Sequence, residues 1–315
     1  MRQIDWGTLR DALASPDWPL LALALGTVLA TTVAKSARWR VLLRQAGTET
    51  GGMRVLRVLL IGQMGNIFLP ARMGDVARAA LLGPQTEGGF AAVLGTIVVE
   101  KALDGWMGLL ILIGLALWTP LPGWLRGPVL VLALLTSILL LLLILASARQ
   151  AWAGRVYVAA TGWLPEGVQG QLYRQLARFA LGLGLFRQPA SVLRALSWSV
   201  VVWGLAALTN VVTMAALDIE APGWSIWLVL VTGYVATFLP TVPAQVGVFE
   251  YACVLALTAA GVPPEPALAF GLVLHLLVYT PPAILGLIAM AIEGFTWAGL
   301  RQNRSQYEER RGALS

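Results

Sequence analysis

Apolar residues fall in long runs, and the polar residues gather at the ends of those runs or at two proline breaks. Pro19 to Ala34 is the first run, and it ends in Lys35, Arg38, Arg40 and Arg44 with Trp39 among them. A basic cluster beside an interfacial tryptophan marks a cytoplasmic exit, so this span is predicted to run from outside to inside. Before it, Met1 to Trp18 sets Ile4, Trp6, Leu9 and Leu13 at loose helical spacing, as in a helix lying at the interface. Arg54 to Leu69 is apolar but too short to cross well, and Ala71 to Leu82 continues past Pro70. The pair predicts a re-entrant helical hairpin entering and leaving on the cytoplasmic side. Irregular backbone at membrane depth is tolerated only when buried in protein or lining a wet cavity.

Phe90 to Trp118 reads as one long helix, with Glu100 and Asp104 on one face and Lys101 beside them. Thr119 to Gly127 is a short outer turn, and the Leu/Val-rich run Pro128 to Ala146 returns with its side chains toward lipid. Arg149 to Arg194 interleaves arginines with Trp152, Tyr157, Trp163 and Phe179, which suits amphipathic helices on the inner leaflet or a solvated linker. Leu196 to Leu217 crosses outward. Trp224 to Pro240 and Val246 to Ala260 form a second broken hairpin, and Ala267 to Ile292 returns, with Pro281-Pro282 as an expected kink.

The predicted fold class is therefore all-α and polytopic, an inverted repeat of span, re-entrant hairpin and span, with two broken hairpins meeting at the midplane. A single membrane domain covers 1–315. Repeat one is 19–118, a linking span and amphipathic segment is 128–194, repeat two is 196–292, and a basic cytoplasmic tail is 297–315. The repeats echo each other as Phe68-Leu69-Pro70 and Phe238-Leu239-Pro240, each followed by glycine and acid. Paired proline- and glycine-interrupted segments in two halves are a sequence pointer to a transport site.

Composition narrows the class. The chain has 315 residues, 58% hydrophobic and 12% charged, against about 25% charged in soluble domains. The net charge of +6 fits cytoplasmic loops facing anionic lipid. No basic helix stands clear of the membrane, so nucleic acid is not an expected partner. The single cysteine, Cys253, excludes an internal disulfide and is read as a small buried hydrophobe. No cleavable signal peptide is evident, and neither a metal nor another cofactor is expected.

The candidate chemistry lies at the breaks. An ionisable side chain inside the membrane costs at least ~2.5–3.5 kcal/mol, so it must be paired or wet. Arg72, Asp75, Arg78, Glu100, Lys101 and Asp104 cluster around the first break and the next helix, and Glu250 joins from the second. A helix starting after Pro70 turns its positive end inward, where it favours an anion. Arg72 adds a donor fork suited to phosphate. These residues are the expected substrate-binding set, with Gln245 and Thr241 as neutral hydrogen-bonding partners for Glu250. The alternative for the same residues is internal salt bridges, Arg72–Asp75 and Lys101–Asp104. His275, alone in the last span, reads as a hydrogen-bonded packing residue or a proton-sensitive group.

Four motifs carry a resemblance over nearly the whole chain: Ala37 to Leu43, Asn66 to Arg78, Glu100 to Asp104, and Pro243 to Glu250. The sequence resembles the flippase-like membrane family that includes the transmembrane region of lysylphosphatidylglycerol synthases (multiple peptide resistance factors) and archaeal and bacterial relatives linked to glycolipid assembly. The resemblance implies two re-entrant hairpins and movement of an amphiphilic lipid between leaflets. Lys101 and Asp75 stand where the family usually has arginine and glutamate, and His275 stands near a usual arginine. The family often has a further span before the Arg-Trp motif. No aminoacyl-transferase domain follows the last span, so the chain is not expected to make lysyl-lipid.

The expected function is flippase or scramblase movement of an anionic or phosphate-headgroup lipid: a phospholipid, an aminoacylated phospholipid or a polyprenyl-phosphate-linked glycolipid. The alternative is a non-transporting membrane partner or anchor of a lipid-modifying or glycosyltransferase enzyme. The chain itself is not expected to be an enzyme, since one histidine cannot build an intramembrane metalloprotease site. The partners are membrane lipids, with a lipid-synthesising enzyme and a second copy of the chain left open. The expected location is the cell membrane, with the C-terminus cytoplasmic.

Overall fold

The structure, a computed structural model, describes residues 5–119, 123–148, 163, 165–237 and 243–294. Among them there are eleven α-helices and no β-strand. The first two, α1 (Trp6–Ala14) and α2 (Trp18–Gln45), start on aspartate caps. Asp5 accepts from the Gly7 N–H at 2.8 Å and Asp17 from the Leu20 N–H at 3.0 Å, satisfying donors that a helix start leaves open. α2 does not end at Ala34, as the sequence suggested. It runs through Lys35, Arg38 and Trp39 to Gln45, and Arg38 and Trp39 are fully buried. The basic cluster expected at a membrane exit thus lies partly in the protein interior, where Asp104 neutralises Arg38.

The first hairpin pairs α3 (Gly52–Phe68) with α4 (Met73–Leu82). Pro70 forces Leu69 into extended backbone (φ −102°, ψ 143°), which ends α3. The two helices then close tightly, because a Cβ on Gly74 would run into the Gly62 carbonyl oxygen and the Asn66 backbone nitrogen. α5 (Gly89–Trp118) follows as one helix, then α6 (Gly123–Ala148). On α6, Leu130, Val131, Leu134, Leu135 and Ile138 are exposed, an apolar outer face suited to lipid. In the arginine-rich region, residues 149–162 and 164 lie outside the described residues. α7 (Glu166–Gly182), from the rest of that region, is largely exposed and lies along α5.

α8 (Pro189–Ala216) runs antiparallel to α2. The Asp17 N–H donates to the Ala216 carbonyl at 2.9 Å, Thr27 and Thr209 share a 2.8 Å hydroxyl bond, and Arg38 meets Ser199. The second hairpin consists of α9 (Trp224–Ala236) and α10 (Val248–Ala259), and α11 (Pro264–Ile292) completes the chain. Pro281 and Pro282 sit inside α11, which remains one helix on both sides of them.

The two breaks share one backbone. Pro70-Ala71-Arg72 and Pro243-Ala244-Gln245 are each a single 3-10 turn. Both carry consecutive left-handed residues: Ala71 (φ 53°) and Arg72 (φ 54°), Ala244 (φ 57°) and Gln245 (φ 59°). Each continues with an apolar residue and a glycine, Met73-Gly74 and Val246-Gly247. The structural correspondence is therefore Pro-Ala-polar-apolar-Gly, offset from the Phe-Leu-Pro echo. Phe238, Leu239, Pro240 and Thr241 lie outside the described residues.

Two apolar cores result. One gathers Trp39, Leu42, Leu43, Leu59, Leu82 and Val93 around the first hairpin. The other gathers Trp203, Val231, Phe249, Cys253, Phe270 and Leu274 around the second. α2, α5 and α8 thread both cores. Between them, on those three helices, stand Arg38, Asp104 and Ser199. Among the described residues three helices, α2, α8 and α11, are long and apolar enough to cross a membrane.

Candidate functional site

The ionic layer is built from four helices. Arg38 on α2 donates to Asp104 Oδ1 at 2.6 Å and Oδ2 at 3.1 Å, and to Ser199 Oγ at 3.1 Å. Arg78 on α4 donates to Glu100 Oε2 at 2.7 Å and Oε1 at 3.3 Å on α5, and to Asp75 at 3.3 Å. Its guanidinium also lies 3.8 Å from the ring centroid of Trp39, whose indole N–H bonds Thr96 at 3.1 Å. Bidentate pairing and cation–π stacking of this kind allow a guanidinium to be buried. Lys101 is held more loosely, with its ammonium 3.7 Å from Asp75 and 3.8 Å from Glu100.

Asn66, on the last turn of α3, fixes the start of α4. Its amide donates to Asp75 Oδ1 and its oxygen accepts from the Asp75 N–H, both at 3.2 Å. Arg72, in the turn between these helices, reaches the other hairpin. It donates to Thr237 Oγ1 at 2.8 Å and to the Thr237 carbonyl at 3.1 Å, at the end of α9. The corresponding residue of the second turn, Gln245, accepts from the Tyr279 hydroxyl on α11 at 2.7 Å.

A cavity of about 370 Å³ opens among these groups, within the size range of small-ligand sites. Arg72, Asp75, Arg78, Glu100, Lys101 and Asp104 all line it, and so does Gln245. The lining also includes apolar side chains, among them Val202, Val229, Leu230, Leu274 and Val278. The structure thus brings together seven of the eight predicted residues. Glu250 stands apart behind Phe249, where it accepts from the Gly247 N–H at 2.7 Å and pairs with His275 Nδ1 at 2.6 Å. His275 is thus the side-chain partner of Glu250 in place of the expected Gln245, which bonds Tyr279 instead. The predicted pairings Arg72–Asp75 and Lys101–Asp104 are replaced by Arg78–Asp75, Arg78–Glu100, Lys101–Asp75 and Arg38–Asp104. The cause is helix phase: Arg78 lies one turn after Asp75 on α4, and α2 presents Arg38 to Asp104.

Lys35, Arg38, Asn66, Thr237 and Tyr279 belong to the site and escaped the sequence reading. A signal for the first existed. Val28, Thr31, Thr32 and Lys35 recur at helical spacing and line the cavity together.

An all-helical chain with apolar spans and a charged cavity inside is a multi-pass membrane protein. The chain matches the family model described as "Lysylphosphatidylglycerol synthase TM region" over residues 1–286, and it belongs to that family. It is 26% identical to "Glycosyltransferase AglD" of Haloferax volcanii over 86% of this chain and 48% of that protein, so it spans about half of that relative's length. It is 24% identical to a "UPF0104 membrane protein" of Methanothermobacter thermautotrophicus over 92% of this chain and 88% of that one. No solved structure matches.

Proposed function

We propose that the protein moves a phosphate-headgroup lipid between leaflets, with the headgroup resting in the charged cavity. The observation that carries this reading is the cavity itself, where cations of the first hairpin and the neighbouring helix meet the tip of the second hairpin through Arg72 and Thr237. Both hairpins are read as re-entrant, and the two halves as an inverted repeat. Three features support this: the shared Pro-Ala-polar turn, the antiparallel course of α2 and α8, and separate cores around the two hairpins. Half-helix ends facing a polar group at the midplane are how many transporters hold a substrate. The reading assigns no bond-breaking chemistry to the chain and takes the C-terminus as cytoplasmic, for which the Lys/Arg bias of the sequence is the support.

A second reading is favoured by the AglD relative, whose name is that of a glycosyltransferase. There the domain would anchor or serve a glycosyltransferase at the membrane without moving lipid itself. Reconstitution separates the two. Proteoliposomes with fluorescent phosphatidylglycerol, quenched from outside, are expected to lose inner-leaflet signal with the wild type, and Arg72→Ala and Lys101→Ala, both on the cavity lining, to slow that loss at least ~10-fold, which is about 1.4 kcal/mol on the barrier. Movement unchanged in both variants, with loss of a co-purifying enzyme, selects the anchor.

A further inference from the structure

Each hairpin has a buried ion pair, and the two are built from different chemistry. Arg78 on α4 meets Glu100 on α5, and Glu250 on α10 meets His275 on α11. Both pairs tie the returning helix of a hairpin to the span that follows it. Glu100 and His275 each stand eleven residues past the first residue of their helices, Gly89 and Pro264. In the first pair the cation is a guanidinium, which stays charged at any working pH. In the second it is an imidazole, the side chain whose ordinary titration falls between about pH 5 and 8. It is the only histidine of the chain.

The second pair has one open position for a proton. Glu250 Oε2 accepts from the Gly247 N–H and Oε1 from His275 Nδ1. Nδ1 thus carries a hydrogen, and the exchangeable proton belongs on Nε2. Among the described residues no hydrogen bond reaches that nitrogen. Without this proton, Glu250 is a buried carboxylate beside a neutral ring, against the apolar core of the second hairpin. With it, the pair is neutral overall.

No other ion pair reaches either partner among the described residues. The same two helices carry Tyr251, Cys253 and Tyr279, and α9 brings Tyr234; thiols and phenols are neutral near pH 7. α3 packs along α11, but its Arg54 and Arg57 are held by Glu293 beyond the far end of that helix. α1, with Arg10 and Asp11, packs on α11, and its cap Asp5 meets Glu265 at the start of that helix. α2 and α8 touch α11 too. Their ionisable residues are Lys35, Arg38, Arg40, Arg44 and Arg194, of which Arg38 is committed to Asp104. Arg72, on the cavity side, lies within the field of Tyr279.

The pair sits one side chain behind the cavity. Phe249 and Tyr279 line the cavity and also pack on His275, with ring centroids 5.4 and 4.3 Å from its own. At this remove in a medium of low dielectric, charge on the pair acts on charge in the cavity. An unprotonated pair repels an anionic headgroup, and a proton on Nε2 removes the repulsion. By reciprocity, a bound anion favours the protonated ring. A proton carried with the anion also lowers the net charge that must cross hydrocarbon.

We infer that Glu250 and His275 form a proton-binding site, and that the protein binds its anionic lipid together with a proton. This rests on the lipid-movement reading above.

The test has a binding arm and a movement arm. The full chain, on a purification tag without histidine, is titrated in detergent with short-chain phosphatidylglycerol. Binding is expected to be at least ~10-fold tighter at about pH 6 than at about pH 8. In weak buffer each binding event should take up protons, and the single imidazole resonance should move toward the protonated form when lipid is added. His275→Gln should remove both the uptake and the pH dependence. His275→Arg, with a fixed charge as in the first pair, should bind equally at both pH values. Equal binding by the wild type at both pH values, a resonance unmoved by lipid, or undiminished uptake in His275→Gln overturns the inference. Lys35 on the cavity wall is a second group able to take up a proton. Uptake lost in Lys35→Gln and kept in His275→Gln moves the site there and overturns the assignment. If His275→Gln does not fold, the wild-type resonance and His275→Arg decide.

In proteoliposomes with equal pH on both sides, fluorescent phosphatidylglycerol is expected to move faster at the lower pH, and phosphatidylcholine at one rate throughout. Proton-linked binding without movement at any pH sinks the transport reading and leaves the proton site standing. Movement at one rate across pH, with binding equally indifferent, sinks the proton site and leaves transport standing.

Discussion

At the residue scale, Arg38 and Arg72 make opposite demands on the fold. Arg38 is fully buried and neutralises Asp104, so Arg38→Ala strands a carboxylate in the interior. Breaking such a pair costs about 3–5 kcal/mol, and a large drop in melting temperature in detergent is expected. Adding Asp104→Ala to that variant should restore part of it, since contacting residues do not add independently. Arg72 bonds neutral oxygens of Thr237 at the cavity edge. Arg72→Ala is therefore expected to cost on the order of 1 kcal/mol of stability while abolishing movement. Equal losses of stability and activity in that variant would return Arg72 to a purely structural role. The charged residues at the first break were legible because an ionisable group inside an apolar run has few explanations. Their partners were not, since Arg38–Asp104 and Glu250–His275 join residues far apart in sequence.

At the element scale, the hairpin turns carry the stored cost. Ala71, Arg72, Ala244 and Gln245 all sit in left-handed backbone, which disfavours any residue with a Cβ by roughly 1–2 kcal/mol. Ala244→Gly removes that penalty against an entropy cost of about 0.5–1 kcal/mol, so a neutral or slightly raised melting temperature is expected. Gly74→Val should do the reverse. Its side chain would enter the space of the Gly62 carbonyl and hold α3 and α4 apart, and a cooperative transition shifted well below that of the wild type is the expected readout. Helix existence was readable from apolar runs and prolines, and α3, α4 and α5 fall within a few residues of the predicted bounds. The length of α2 was misjudged for a physical reason. A basic cluster ends a span only if water receives it, and here Asp104 on α5 receives Arg38.

At the scale of the whole molecule, the charged layer lies between two apolar cores, and the cavity is open to it. The one cysteine of the chain is buried, so introduced cysteines report cleanly. Asn210→Cys, on the cavity wall of α8, is expected to react with a small water-soluble thiol reagent, and phosphatidylglycerol should slow that reaction. Absence of labelling in a folded protein would mean that water does not reach the cavity. The amino-acid sequence alone determined the helical class, the membrane setting, the two breaks and most of the charged residues lining the cavity, because hydrocarbon penalises exposed backbone and unpaired charge at every position regardless of neighbours. Which cation meets which carboxylate, and where the two turns truly correspond, were decided only by tertiary structure. Those outcomes depend on the phase and approach of helices that are distant along the chain, and no local rule encodes either.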